Sequence, residues 1–225
     1  MKMTKQIALI LCLCLSLLAL ASCGVTIHED LGAGDAVDKS SGVVWHHAST
    51  CYEAVKLEKK QGKLVVKEQE MELYKLPDMD PNEWLATEDK NVIYSEGVTL
   101  PTLAEMAPEE MTIYLDSATE LKLKTIDKSE VIDALVKAYT EGESAVYPAK
   151  TPYATYRVRF ASEDYPGIYY VLTYVEYSSD YIHDIDEETS VNYGKYFFYD
   201  RFDQKFIPVG DEIHKALGLG EAAAE

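Results

Sequence analysis

Three side chains that bind transition metals lie close together in the sequence: His46, His47 and Cys51. Zinc and copper accept imidazole and thiolate ligands, and His47 and Cys51 would share a helix face. If the segment is extended, the two histidines point to opposite sides and are ordinary residues at a domain edge. Asp184 and Asp186 lie in an acidic run that would attract calcium in an extracellular setting, although such runs are usually solvated loops. A metal- or calcium-responsive module is therefore one hypothesis.

A second set of side chains favours ligand binding. Arg157 and Arg159 alternate with apolar residues, so both face the same side of a predicted strand. Tyr169 and Tyr177 lie in a later strand, and the chain holds 17 tyrosines, whose rings and hydroxyls suit interfaces with peptides or sugars. Two arginines on such a surface would clamp a carboxylate-bearing ligand. In the structural alternative, tyrosine is simply a good strand former and Glu176 pairs with one of the arginines.

Signatures of nucleophilic or metal-dependent catalysis are missing from the sequence. It contains no Gly-x-Ser-x-Gly elbow, no Ser-x-x-Lys and no His-Glu-x-x-His motif. With 39 acidic residues in the chain, pairs of carboxylates are too numerous to identify an acid–base site. We therefore expect a non-enzymatic protein. The alternative is a hydrolase whose site is assembled from scattered acids and histidines.

The charge of the chain limits its partners. Acidic residues outnumber the 21 basic ones, and the formal net charge is −18. Such a surface repels phosphate backbones, so nucleic acid is not an expected partner. It also repels anionic headgroups, so attachment to a membrane would have to come from a covalent lipid.

The first 23 residues have the organisation of a secretory leader. Lys2 and Lys5 precede an apolar run over 7–20, and small residues follow. The run is shorter than the roughly 20 apolar residues of a membrane span. The leader ends in Leu20-Ala21-Ser22-Cys23, which resembles the lipobox of bacterial lipoproteins.

The resemblance covers residues 1–23 only, and it implies processing and location. The signal peptide 1–22 would be removed and Cys23 would carry diacylglycerol and a fatty acyl chain such as palmitate, with no other cofactor expected. Two or more acyl chains anchor a protein stably, whereas one chain does not. The protein would then lie on the extracytoplasmic face of a bacterial cell membrane. Cys51 would be the one thiol left, which rules out an intrachain disulfide in the mature chain.

Composition divides the remainder into three parts. Residues 23–44 are rich in glycine, serine and aspartate without periodicity, which predicts a flexible lipidated tether. Residues 45–218 are expected to form a single α+β domain, or two small lobes with a break within the proline-rich segment 77–110. The tail 219–225 is predicted to be disordered. The expected function is that of a lipid-anchored binding protein of the cell envelope, with an envelope protein, peptide or glycan as partner.

The predicted fold is α+β: antiparallel hairpins in a meander, with one well-formed helix packed on the sheet. Strands are expected at 51–59 and 63–75, joined by a tight turn at Gln61-Gly62, with a bulge or break near Glu68-Gln69. An apolar stripe predicts a helix that begins after Asp127 and ends at Gly142. Two hairpin-then-helix units, with Asp116 and Asp200 at equivalent turns, are compatible with an internal ββα duplication or with chance.

Overall fold

The computed structural model describes residues 24–29, 35–116, 119–184, 190–200 and 204–219. It is mostly β, with 46% strand and 11% helix, and it contains a closed barrel of seven strands. The prediction of an α+β fold with one helix packed on a meander is therefore wrong. The prediction used local patterns, and local patterns do not show which strands pair across the chain.

Among the described residues, eight strands precede residue 100. They are β1 (Val25–Glu29), β2 (Asp35–Asp38), β3 (Val44–His47), β4 (Tyr52–Ala54), β5 (Lys60–Val66), β6 (Gln69–Lys75), β7 (Trp84–Thr87) and β8 (Val92–Ser95). All except β4 belong to the barrel, in the order β1-β2-β3-β8-β7-β6-β5, and parallel pairing of β1 with β5 closes it. Each barrel strand contributes one buried side chain to the interior cluster of Ile27, Ala36, Trp45, Leu64, Leu73, Leu85 and Ile93.

Part of the predicted flexible tether over residues 23–44 is folded into the barrel. Two segments of the predicted flexible stretch 23–44 are the strands β1 and β2, so the folded region begins well before residue 45. β1 is too short to show a clear alternation, and its hydrogen-bonding partners come from β2 and from β5, more than 30 residues away. Pairing partners so distant are not visible in local composition.

In the β5–β6 hairpin, the turn lies where a bulge was predicted, and the pairing irregularity lies where the turn was predicted. β5 continues through Gly62, where its register against β6 shifts, and the hairpin turn lies at Lys67 and Glu68, both with positive φ (47° and 69°). A Cβ on Gly62 would lie 1.9 Å from the Val25 carbonyl oxygen. The glycine therefore permits the close approach of β1, and it does not form the tight turn expected at Gln61-Gly62.

The described residues contain eight further strands, most of which form a second sheet. They are β9 (Glu110–Leu115), β10 (Leu121–Ile126), β11 (Ala154–Ala161), β12 (Ile168–Glu176), β13 (Ile182–Asp184), β14 (Ser190–Asn192), β15 (Tyr196–Asp200) and β16 (Lys205–Val209). The sheet has the order β10-β9-β11-β12-β15-β16, and β4 adds to it by pairing with β12. β13 and β14 form a separate two-stranded sheet.

Two helices, α1 (Ser129–Glu141) and α2 (Asp211–Leu217), pack on one face of this sheet and contact each other. The predicted helix is confirmed as α1, with Ile132, Leu135 and Tyr139 buried. The units β9-β10-α1 and β15-β16-α2 lie at opposite edges of one sheet, so they do not form two lobes. Within the described part of the chain, neither helix has the length and apolar content needed to cross a bilayer.

The main core joins the barrel to the second sheet. Apolar residues from β11 and β12, among them Val158 and Leu172, pack in one cluster with Trp84 and Val92 from the outside of the barrel. The chain passes from the barrel to the sheet between β8 and β9, inside the predicted break window of 77–110. Of the predicted tail, Leu219 packs against this core, and residues 220–225 lie outside the described residues.

Candidate functional site

The face of the second sheet that is turned away from the helices carries the two arginines. Strand pairing sets Arg157 opposite Tyr114 and Thr173, and Arg159 opposite Thr112 and Val171. Because side chains alternate along a strand, Tyr169 lies on the same face. The structure thus brings together three of the four residues predicted to bind a ligand.

A buried carboxylate holds Arg159 in place. β4 pairs with β12 so that Glu53 lies opposite Tyr169. Arg159 Nε and Nη2 donate to the two Glu53 oxygens at 3.0 and 2.7 Å, and both side chains are about 90% buried. Such a bidentate pair fixes position and orientation together.

The network extends to the surface through two further residues. Arg157 Nη2 contacts the Glu53 carboxylate at 3.0 Å. Glu120, in the connection between β9 and β10, accepts from Arg157 Nη1 at 3.3 Å and from Arg159 Nη2 at 3.0 Å. The Glu120 side chain is 39% exposed and that of Arg157 is 36% exposed. Two arginines and two glutamates therefore form one connected cluster that runs from the interior to solvent.

Aromatic rings complete the surroundings of Arg159. Its guanidinium carbon lies 4.5 Å from the centroid of the Tyr114 ring and 6.0 Å from that of Tyr169. Burial opposes the charge of Arg159, but hydrogen bonds to Glu53 and Tyr114, together with the attraction of the Glu53 and Glu120 carboxylates, raise the pKa of the guanidinium above its usual range. Burial also raises the pKa of the Tyr169 phenol. Arg159 is thus a fixed cation that stays protonated.

A groove opens beside this cluster, in two parts that share Thr50 and Arg157. The larger part, about 410 Å³, also has Tyr52, Asn91 and Glu120 in its wall. The smaller part, about 230 Å³, is lined by residues that include Cys51, Asp116, Val171, Thr173 and Tyr199. Arg157 therefore lies between two polar hollows, with its guanidinium paired to Glu53 and Glu120.

Tyr177 does not belong to this groove. It is buried directly after the far end of β12, where its ring packs edge-on against Phe197 and Phe206. Its hydroxyl is buried and has no hydrogen-bond partner among the described residues. The ring is part of a small aromatic core, and the predicted role of Tyr177 in binding is not supported by its position.

The predicted metal ligands are not brought together. His46 Nδ1 lies 2.8 Å from Asp35 Oδ1, His47 is exposed, and Cys51 is buried. Asp184 is exposed on β13, and Asp186 lies outside the described residues. Among the residues that the structure describes, no three histidine, cysteine, aspartate or glutamate side chains form a group that would hold a metal ion.

A wider hollow of about 570 Å³ lies elsewhere, beside α2. His214 forms part of its wall, stacks on Tyr196 with ring centroids 3.9 Å apart, and exchanges a 2.9 Å hydrogen bond with Tyr174. Its lysines, Lys195 and Lys215, form no ion pair with the described residues around them. The arginine groove has two guanidinium groups held by a buried carboxylate, whereas the lysines of this hollow are not held in this way, so the groove is the better candidate.

Sequence reasoning missed Glu53, Glu120 and Tyr114. Because residues 157 and 159 are two positions apart on one strand, the sequence correctly predicted that the two arginines lie on the same face of the sheet. The expected partner, Glu176, lies on the other side of the sheet, since it pairs with Ala154 and Tyr196. Glu53 is identified as the partner of the arginines only by the pairing of β4 with β12, and no local sequence pattern predicts that pairing.

Two guanidinium groups, those of Arg157 and Arg159, line the groove. Guanidinium groups remain charged at all physiological pH values, so they bind anions and do not transfer protons. Comparisons with protein-family models, curated proteins and solved structures find no match to this chain. The groove and the amino-terminal motif are therefore the two features of the protein that bear on its function.

Proposed function

We propose that this protein is a non-enzymatic, lipid-anchored binding protein on the extracytoplasmic face of a bacterial cell envelope. The groove beside Arg157 is its ligand site. The ligand is a peptide, glycan or protein segment of the envelope. Membrane attachment comes from lipid on Cys23, which directly precedes the first described residue, Gly24.

The connected cluster of Glu53, Arg159, Glu120 and Arg157 is the observation that supports binding. Desolvating charges costs several kcal/mol per ion, and a well-packed apolar group is often as stable as a buried ion pair. A buried pair such as Glu53–Arg159 is therefore not explained by stability alone. It holds Arg159 beneath the more exposed Arg157, so both guanidinium groups are positioned before a ligand arrives.

The location is tested by metabolic labelling. Cells that express the full chain are grown with radioactive palmitate, and the protein is followed in membrane fractions. Wild type is expected to carry label and to sediment with membranes, whereas Cys23→Ala is expected to lose both properties. A wild-type protein that keeps its leader, or that carries no fatty acid, would remove this part of the proposal.

Binding is tested with the lipidated protein in detergent micelles. Soluble fragments of digested peptidoglycan are titrated into wild type and into Arg157→Ala, with Lys56→Ala as a control that removes an exposed cation elsewhere. We expect Arg157→Ala to weaken binding at least tenfold and Lys56→Ala to leave it unchanged. Equal affinity of all three proteins would show that the groove is not the site.

The same samples separate the other hypotheses. New, shorter fragments in the mass spectrum after incubation would identify a hydrolase. A melting temperature that rises with zinc or calcium would identify a metal-responsive module. Intact fragments and an unchanged melting temperature are the results expected of a binding protein.

A further inference from the structure

We propose that Arg157 and Arg159 form a carboxylate-binding site and that Glu120 occupies this site in the unliganded protein as an internal stand-in. A ligand carboxylate would displace Glu120 and take over its two contacts. The inference rests on the proposed function, and it adds the chemical class of the ligand and a competing side chain within the protein.

The contacts of Glu120 show that the site accepts a carboxylate. One of its oxygens lies 3.3 Å from Arg157 Nη1, and Arg159 Nη2 lies 3.0 Å from the same carboxylate. A single carboxylate thus bridges two guanidinium groups that project from alternate positions of β11. The planar, multidentate geometry of guanidinium favours carboxylate oxygens as acceptors.

The two glutamates of the cluster differ in how firmly they are held. The Glu53 side chain is 10% exposed and makes three contacts of 3.0 Å or less with the arginines. The Glu120 side chain is 39% exposed, and it projects from a connection outside the regular strands. Ion pairs near solvent contribute little to stability, so Glu120 is the partner that a ligand can replace.

Charge balance gives the same result. The two arginines carry two positive charges, and the buried Glu53 neutralises one of them. One positive charge remains for Glu120 or for a ligand. If Glu120 swings away with no replacement, the two partly buried guanidinium groups share Glu53 as their contacting carboxylate, which is unfavourable. Exchange of one carboxylate for another avoids this penalty.

The groove has room for the rest of a small ligand. Its larger part, about 410 Å³, meets Glu53, Glu120 and both arginines. The rest of its lining is Thr50, Tyr52, Asp89, Lys90 and Asn91. A short peptide with a free carboxyl terminus and an acidic sugar share the required group. These two sources are separated by the choice of probe.

The test compares three proteins: wild type, Glu120→Gln, and Glu96→Gln, which removes one negative charge at an exposed position of the barrel. The probes are acetyl-Ala-Ala and its carboxamide, and glucuronate and glucose. We expect Glu120→Gln to bind a carboxylate probe about fivefold more tightly than wild type, because an internal competitor worth about 1 kcal/mol is removed. Glu96→Gln should bind as wild type does. The carboxamide and glucose should bind to none of the proteins.

A second readout separates competition from a structural role. The side-chain Nε–H resonances of the two arginines are followed by nuclear magnetic resonance during titration with each probe. If the ligand displaces Glu120, titration of wild type should move each of the two resonances to its own bound-state shift. Glu120→Gln should reach the same two bound-state shifts at lower probe concentration. A lowered melting temperature for Glu120→Gln, without tighter carboxylate binding, would overturn the inference.

The outcomes distinguish this inference from the proposed function. If neither carboxylate binds to any of the three proteins, the carboxylate site is wrong. Palmitate labelling and peptidoglycan binding that requires Arg157 would still support the broader proposal. Tighter binding of only one carboxylate source identifies the ligand as a peptide or as a sugar.

Discussion

Arg159 and Glu53 are 106 residues apart in the chain, and two hydrogen bonds of 3.0 and 2.7 Å join their side chains. The pair connects β11, in the middle of the second sheet, to β4, the short strand that the chain forms between two barrel strands. It therefore holds β4 on the second sheet and supports the groove. Its removal should affect both stability and binding.

The substitution Arg159→Ala is expected to lower the free energy of unfolding by about 3 kcal/mol. It leaves the buried Glu53 carboxylate without its bidentate partner. Urea denaturation measures the change, and Arg157→Ala, which removes a more exposed guanidinium, should cost only about 1 kcal/mol. In the double variant Glu53→Ala with Arg159→Ala, part of the loss should be recovered. Strictly additive losses would contradict the pairing.

Closure of the barrel depends on Gly62. A Cβ at this position would lie 1.9 Å from the Val25 carbonyl oxygen, and backbone atoms cannot move aside as a flexible side chain can. Gly62→Ala should therefore force β1 away from β5 and destabilise the fold by about 3 kcal/mol or more. Gly97→Ala is the matched control, because no atom lies within 4 Å of its added Cβ. Equal melting temperatures for the two variants would contradict the seam between β1 and β5.

Two buried tyrosines should respond in opposite directions to loss of the hydroxyl. Tyr139 donates a 2.8 Å hydrogen bond to the buried Asp200, so Tyr139→Phe should destabilise the protein by about 2 kcal/mol. The buried Tyr177 hydroxyl has no partner in the described residues, so Tyr177→Phe should stabilise it by about 1 kcal/mol. Chemical denaturation of both variants checks the pair. A destabilising Tyr177→Phe would show that this hydroxyl has a partner.

Stability should fall at alkaline pH. Burial raises the pKa of Tyr177 to about 12 and those of Tyr139, Tyr170 and Tyr174 further. In the unfolded chain, tyrosine ionises near its ordinary pKa of about 10. The stabilising effect is therefore complete below pH 10 and decreases above it, by about 1.4 kcal/mol per pH unit for each tyrosine.

Absorbance of tyrosinate near 295 nm, followed together with circular dichroism, tests this pH dependence. One group of tyrosines should ionise near its ordinary pKa while the fold is intact, and a second group only as the fold is lost. The substitution Tyr174→Phe should reduce the second group by one. Ionisation of all tyrosines in a single step, before unfolding, would contradict their burial.

Only part of the candidate site could be predicted from the sequence. Alternation along β11 was enough to place Arg157 and Arg159 on one face, because side-chain direction in a strand follows from local geometry. The carboxylates that hold them were not identified, since Glu53 reaches the arginines through the pairing of β4 with β12. Glu120 likewise reaches them from the connection after β9.

From sequence alone, the helix α1, the strands that carry Arg157, Arg159 and Tyr169, and the resemblance of the leader to a lipobox could be derived, because periodicity and motif spacing are local properties. Tertiary structure decided that β1 and β2 are barrel strands, that Gly62 serves a close approach, and which glutamates face the arginines. Strand pairing joins residues that are distant in the chain, and its register depends on burial that exists only after the strands have met.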